Sequence, residues 1–129
     1  MENLYIEGAK GEFYTPLVSL TVSTGICEVS GESYLEYTGE FYAQITQWIR
    51  NYAQEVKKGI IFNFRLSYFN TSSFKALLGV LKVLKEYRNQ GGEVDINWFY
   101  PPDDEDILRE AQDLAEGAAV EMNYIEQNF

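Results

Sequence analysis

Three observations predict an α/β fold, with one domain built on a mixed β-sheet that carries its helices mainly on one face. Several segments alternate apolar and polar residues with a period of two, the mark of strands buried on one side. Stretches of helical periodicity separate the later strands. No linker or internal repeat divides the chain, and 129 residues suit a single domain spanning residues 1–129.

Taken in order, Val18, Leu20 and Val22 alternate with Ser19, Thr21 and Ser23 as the first strand. The tight turn "STGI" at Ser23 to Ile26 joins it to "ICEV" as a hairpin. Phe41, Ile45, Trp48, Ile49, Tyr52 and Val56 then fall on one helical stripe, which Lys57-Lys58-Gly59 closes with cations at the negative helix end. Ile60, Phe62, Phe64 and Leu66 alternate with Ile61, Asn63 and Arg65 in the next strand. A second helix, from about Ser72 to Asn89, directs Phe74, Leu77, Leu78, Leu81 and Leu84 to the sheet and Lys75, Gly79, Lys82 and Glu86 away from it. "NQGG" ends that helix. Val94, Ile96 and Trp98 alternate with Asp95, Asn97 and Phe99, and Pro101-Pro102 open a third helix with Asp103, Asp104, Glu105 and Asp106 in its first turn. Val120, Met122 and Tyr124 set against Glu121, Asn123 and Ile125 make the last strand. Polar residues on every second position distinguish these strands from the continuous apolar runs of a sheet covered on both faces.

Composition narrows the function. The net charge of −10 is C-terminal: up to Gly92 acids and bases balance, whereas from Glu93 onward Arg109 is the one base among the acids. Such a surface repels a phosphate backbone, so nucleic acid is not an expected partner. No apolar run approaches the roughly 18 residues of a membrane span, and "MENLYIEGAKGEF" lacks the order of a signal peptide, so no membrane association and a cytoplasmic location are expected. The single Cys27 excludes an internal disulfide framework and a thiolate metal cage.

The residues of catalysis are missing. There is no histidine to act as a base or imidazole ligand. Consecutive acids in "DDED" point around a helix axis instead of converging, and their spacing is not that of a calcium loop. Gly8 and Gly11 lack the lysine and hydroxyl of a phosphate-cradling loop, and Asn63 with Arg65 belongs to a solvated sheet face. The expectation is a protein that is not an enzyme and has no metal site and no cofactor.

"SYFNTSSFKALL", Ser67 to Leu78, sets four small polar residues between a strand and a helix. Asn70, Thr71, Ser72 and Ser73 are all residues that cap helices, and capping alone accounts for them. The position also has the physics of a switch. A phosphate there adds about 1.5 to 2 negative charges at a positive helix end, with free amides and Lys75 nearby. Most of the aromatics sit at core spacing. Tyr34, Tyr37, Phe99 and Tyr100 fall in predicted loops or at strand ends, where exposure to a partner is expected; with Phe69 beside the polar loop they form the candidate interface.

The sequence resembles the SiaC-like regulatory phosphoproteins, which belong with the anti-anti-sigma (STAS-like) fold. The resemblance covers almost the whole chain: "MENLYIEGAK", "GESYLEYTGEFYAQITQWI", "FNFRLSYFNTSSFKALL", "GGEVDINWFYPPDDEDIL" and "AVEMNYIE", with "YFNTSS" the most specific part. Phe74 replaces a serine of the family pattern and Leu35 a proline. The resemblance implies a single STAS-like domain in which Thr71 is the phosphoacceptor and Asn70, Ser72 and Ser73 share its loop. It further implies a GHKL-type protein kinase and a metal-dependent Ser/Thr phosphatase as partners, with the unphosphorylated protein binding and activating a diguanylate cyclase in cyclic di-GMP signalling. A relative-by-fold alternative is an anti-anti-sigma regulator that binds an anti-sigma kinase to control transcription. A small-ligand carrier or enzyme using the polar sheet face is a third reading, opposed by the missing catalytic groups.

Overall fold

The computed structural model describes residues 1–129. Its elements follow in the order β1 (Leu4–Ile6), β2 (Leu17–Leu20), β3 (Ile26–Ser33), α1 (Gly39–Glu55), β4 (Ile60–Phe69), α2 (Thr71–Asn89), β5 (Val94–Tyr100), α3 (Glu105–Ala118) and β6 (Asn123–Glu126). All six strands form one sheet in sequence order. β1 and β2, and β2 and β3, pair antiparallel, whereas β3 through β6 run parallel. Each parallel neighbour is reached through one helix, and right-handed crossovers progressing in one direction put all three helices on the same face. α2 is the middle helix, packed against both α1 and α3. The mixed sheet with one covered face is the architecture the alternating strands predict.

The covered face holds Val18, Leu20, Cys27, Val29, Ile60, Phe62, Phe64, Leu66, Ile96 and Trp98 in one core with the helices. Stacked rings run across it: Phe62 on Phe64 at 4.7 Å and Phe64 on Trp98 at 5.0 Å between centroids. On the open face Asn63, Asn97 and Asn123 stand in register on three parallel strands, and their amides bond in a ladder at 2.9 and 3.0 Å. The expectation that these asparagines lie outside the core is met.

Several boundaries differ from the sequence reading. β1, three residues long, is too short to show a period. β2 stops at Leu20, and the amide of Val22 bonds the Asn3 side chain instead of continuing the ladder. The turn before β3 requires glycine: Gly25 has φ +71°, and a Cβ there would lie 2.1 Å from the Gly59 carbonyl oxygen. At the end of α1 it is Lys57, with φ 57°, that turns left-handed. α2 starts at Thr71 because Asn70 caps it. Leu78 is half-buried, and the absence of a side chain on Gly117 leaves room for it against α3. α3 starts later than its prolines suggest, since Asp104 is the cap and accepts from Ile107 N at 3.0 Å. The last strand begins at Asn123: Ala119 ends α3 left-handed, and buried Val120 belongs to the crossing to the sheet edge.

Burial of titratable groups in this core makes stability sensitive to alkali. Burial pushes the Cys27 thiol from 9.0 up to about 12, against a backbone hydrogen bond with Thr21 that pulls it down. It also pushes Tyr42 from 10.0 up to about 12, against its bonds to Ser33 and Ser73. Both folded-state values lie above the unfolded ones, so the native state holds more protons in alkali. The associated stability is complete below pH 9 and is lost as pH rises towards 12. Urea unfolding at successive pH values should show a loss of about 1.4 kcal/mol per pH unit for each group titrating in that window. Cys27→Ala should flatten the onset just above pH 9.

Candidate functional site

β4 ends by feeding the chain directly into α2, and the junction is held from three sides. The amide of Asn70 bonds the Ser33 carbonyl at 3.1 Å, carrying the β3–β4 pairing one residue past the strands. The Asn70 side chain then does two things: its Oδ1 accepts from the Ser73 amide at 3.1 Å as the helix cap, and its Nδ2 donates to the Leu35 carbonyl at 2.9 Å. Thr38, at the head of α1, donates to the Ser72 carbonyl at 3.4 Å. The first turn of α2 is thereby fixed to the β3–α1 loop.

The hydroxyls of this turn differ sharply in environment. Ser73 is wholly buried; its Oγ donates to the Ser33 carbonyl at 3.1 Å and lies 2.7 Å from Ser33 Oγ, which in turn lies 2.7 Å from the Tyr42 hydroxyl. Because the carbonyl only accepts, these bonds form a directed chain in which Tyr42 donates to Ser33 and Ser33 to Ser73. The raised Tyr42 ionisation, caused first by burial, extends the protonated state of that chain further into alkali. Ser72 is half-buried, with its hydroxyl 2.8 Å from the Leu35 carbonyl and 3.3 Å from Asn70 Oδ1. Thr71 is exposed, and its hydroxyl makes no hydrogen bond within the chain. It is the first residue of a 19-residue helix, whose positive end faces it, and Lys75 is exposed one turn further along.

Thr71 opens onto a cleft of about 260 Å³ lined by Tyr68, Phe69, Asn70, Phe74 and Glu110. Phe69 forms its base, buried to 4 % exposure, edge-on to Trp98 at 5.8 Å and stacked on Phe74 at 6.3 Å. Phe74, from the first turn of α2, supplies this apolar wall. The Glu110 carboxyl is raised from the ordinary value by partial desolvation and then by the carboxylates of Asp106, Asp104 and Asp113.

The matching family model is that of the SiaC family of regulatory phosphoproteins, over residues 6–127. The chain belongs to the SiaC family. Among solved structures, apo-SiaC from Pseudomonas aeruginosa is 26 % identical with a TM-score of 0.84, covering 99 % of this chain and 100 % of that one. The crystal structure of the diguanylate cyclase SiaD in complex with its activator SiaC, also from Pseudomonas aeruginosa, gives 26 % identity and a TM-score of 0.87, covering 96 % of this chain and 99 % of that one. An uncharacterized Pseudomonas aeruginosa protein is 28 % identical over 116 residues, or 90 % of each chain.

The candidate interface of this SiaC-family chain needs two corrections. Phe99, expected at an accessible strand end, is 8 % exposed, because the Arg65 guanidinium lies over its ring at 3.9 Å and is itself held by Glu28 and Gln127. Phe69 is likewise inside, where it supports the cleft. Tyr100 is half-buried, with its carbonyl bonded by the Gln127 amide. Tyr34 and Tyr37 are open to solvent, and Tyr34 sits between Phe13 at 6.0 Å and Tyr68 at 6.3 Å. That aromatic row ends at the Thr71 cleft. Sequence reasoning did not find Ser33, Tyr42, Tyr68 or Glu110, which reach the site only through tertiary packing. No group of three or more carboxylates or thiolates is placed to hold a metal ion, and no helix is long and apolar enough to cross a membrane.

Proposed function

We propose that this protein is a phosphorylation-gated signalling adaptor whose switch is Thr71. A GHKL-type protein kinase adds the phosphate, a metal-dependent Ser/Thr phosphatase removes it, and the unphosphorylated form binds and activates a diguanylate cyclase in the cytoplasm. The protein itself catalyses nothing in this scheme. The observation that carries the reading is the contrast among the three hydroxyls: Ser73 is buried, Ser72 is tied to Leu35 and Asn70, and Thr71 stands free at the helix end. A kinase reaches Thr71 without breaking an internal bond, whereas Ser73 becomes available only if the head of α2 unfolds. The cyclase belongs in the scheme because a SiaC structure of the same fold is the activator of one.

The added dianion meets the free amides of Thr71 and Ser72 and the helix dipole, a local gain of roughly 0.3 to 1 kcal/mol at an exposed site. The fold therefore tolerates the phosphate, and the change is confined to one surface. Intact-protein mass spectrometry after incubation with the kinase should show one added phosphate on the wild-type chain and none on Thr71→Ala. A single phosphate persisting on Thr71→Ala, mapped to Ser72 or Ser73, would contradict the assignment. Capture from the native cell by Thr71→Ala protein should recover a diguanylate cyclase; recovery of an anti-sigma kinase in its place would favour transcriptional control.

A further inference from the structure

We propose that Glu110 is the residue through which α3 senses a phosphate on Thr71: the phosphate and the carboxylate share one cleft and oppose each other. The inference rests on the reading of Thr71 as phosphoacceptor and adds to it a second element of the switch. Thr71 and Glu110 come from different helices and line the same cleft, together with the apolar Phe69 and Phe74. No cation neutralises Glu110 in the structure: Arg109, its neighbour in sequence, pairs with Asp106 at 3.4 Å. The other charged and titratable groups that bear on it are Asp104, Asp106 and Asp113 from α3 and its cap, Tyr68 from β4, and, from α2, Lys75 one turn beyond Thr71. Partial desolvation, and after it the carboxylates of Asp106, Asp104 and Asp113, raise the Glu110 carboxyl from its ordinary value, the direction expected where a further negative charge is opposed.

Two consequences follow. A phosphate on Thr71 is attracted by the amides of Thr71 and Ser72 and by Lys75, and repelled from the α3 side, so Glu110 decides which way it turns. Two anions sharing a site also raise each other's proton affinity, so phosphorylation changes the protonation of the α2–α3 cleft and not only of the modified side chain.

The test installs phosphothreonine at position 71 during synthesis of the full chain, so that it does not depend on which hydroxyl the kinase selects. Phosphorus NMR then follows the second ionisation of the phosphate, ordinarily near about pH 6. In Glu110→Gln the apparent pKa should fall by about half a unit relative to the unaltered phosphoprotein, the size expected for one charge at close range in solvent. Asp106→Asn removes the same charge from outside the Thr71 cleft and should move it by less than half as much. Both side chains are exposed, so neither change disturbs the core. Superimposable titrations of the Glu110→Gln and unaltered phosphoproteins would overturn the proposal. So would an Asp106→Asn shift as large as that of Glu110→Gln, because it would mean a diffuse acidic field. Failure of the kinase to label Thr71 would contradict the function proposed above while leaving this measurement intact.

Discussion

Phe69→Ala is expected to cost about 3 to 5 kcal/mol, the usual range for emptying a buried phenylalanine site. The ring has few ways to be replaced. It closes the end of β4, meets Trp98 edge-on at 5.8 Å and stacks on Phe74 at 6.3 Å, so its loss leaves a cavity bounded by a sheet, a helix and a fully buried indole. Collapse into that space would have to pull Phe74 inward and with it the first turn of α2, which Asn70 and Ser73 hold to β3 and the β3–α1 loop. Thermal unfolding should fall by about 10 to 20 °C. Tyr68→Ala, one residue earlier but exposed, should change stability by less than about 1 kcal/mol. A Phe69→Ala protein within 1 kcal/mol of wild type in urea would mean that the cleft base is not structural.

Phosphorylation of Thr71 is expected to weaken cyclase binding by about 100-fold or more, equivalent to roughly 3 kcal/mol. The sign comes from comparing two environments of one dianion. In the free protein it is solvated and favoured by the helix end. Beneath an apolar or acidic partner surface it is desolvated and opposed, at a cost of several kcal/mol that exceeds the local gain. The aromatic row Phe13, Tyr34 and Tyr68 leading to the Thr71 cleft is the kind of apolar surface such a partner covers. Thr71→Asp carries less charge and fewer oxygens, so it should reproduce only part of the loss.

The fold was largely legible because period-two alternation in the segments now seen as β2, β4 and β5 identifies both the strands and their buried face. The stripe from Ile45 to Tyr52 does the same for α1. β1 has too few residues for a period, and the late start of β6 depends on Ala119 turning left-handed, which alanine does not advertise. The polar loop was legible as a set of hydroxyls but not as a hierarchy. Ser72 and Ser73 differ from Thr71 only in what Leu35 and Ser33 bring to them from about 40 positions earlier in the chain. Phe99 misled because it lies on the polar side of its strand; the Arg65 guanidinium that covers it comes from β4. Glu110 reads as one acid in an acidic helix until α3 packs beside α2.

The central claim is that one phosphate on Thr71 blocks the partner without altering the fold. Calorimetric titration of the purified diguanylate cyclase with unmodified and Thr71-phosphorylated protein, with thermal unfolding recorded on the same samples, tests it most directly. The account predicts tight binding by the unmodified form, at least about a 100-fold loss on phosphorylation, and unfolding temperatures that agree within a few degrees. Equal affinities of the two forms would contradict the account, as would a loss of binding accompanied by unfolding of the phosphorylated protein.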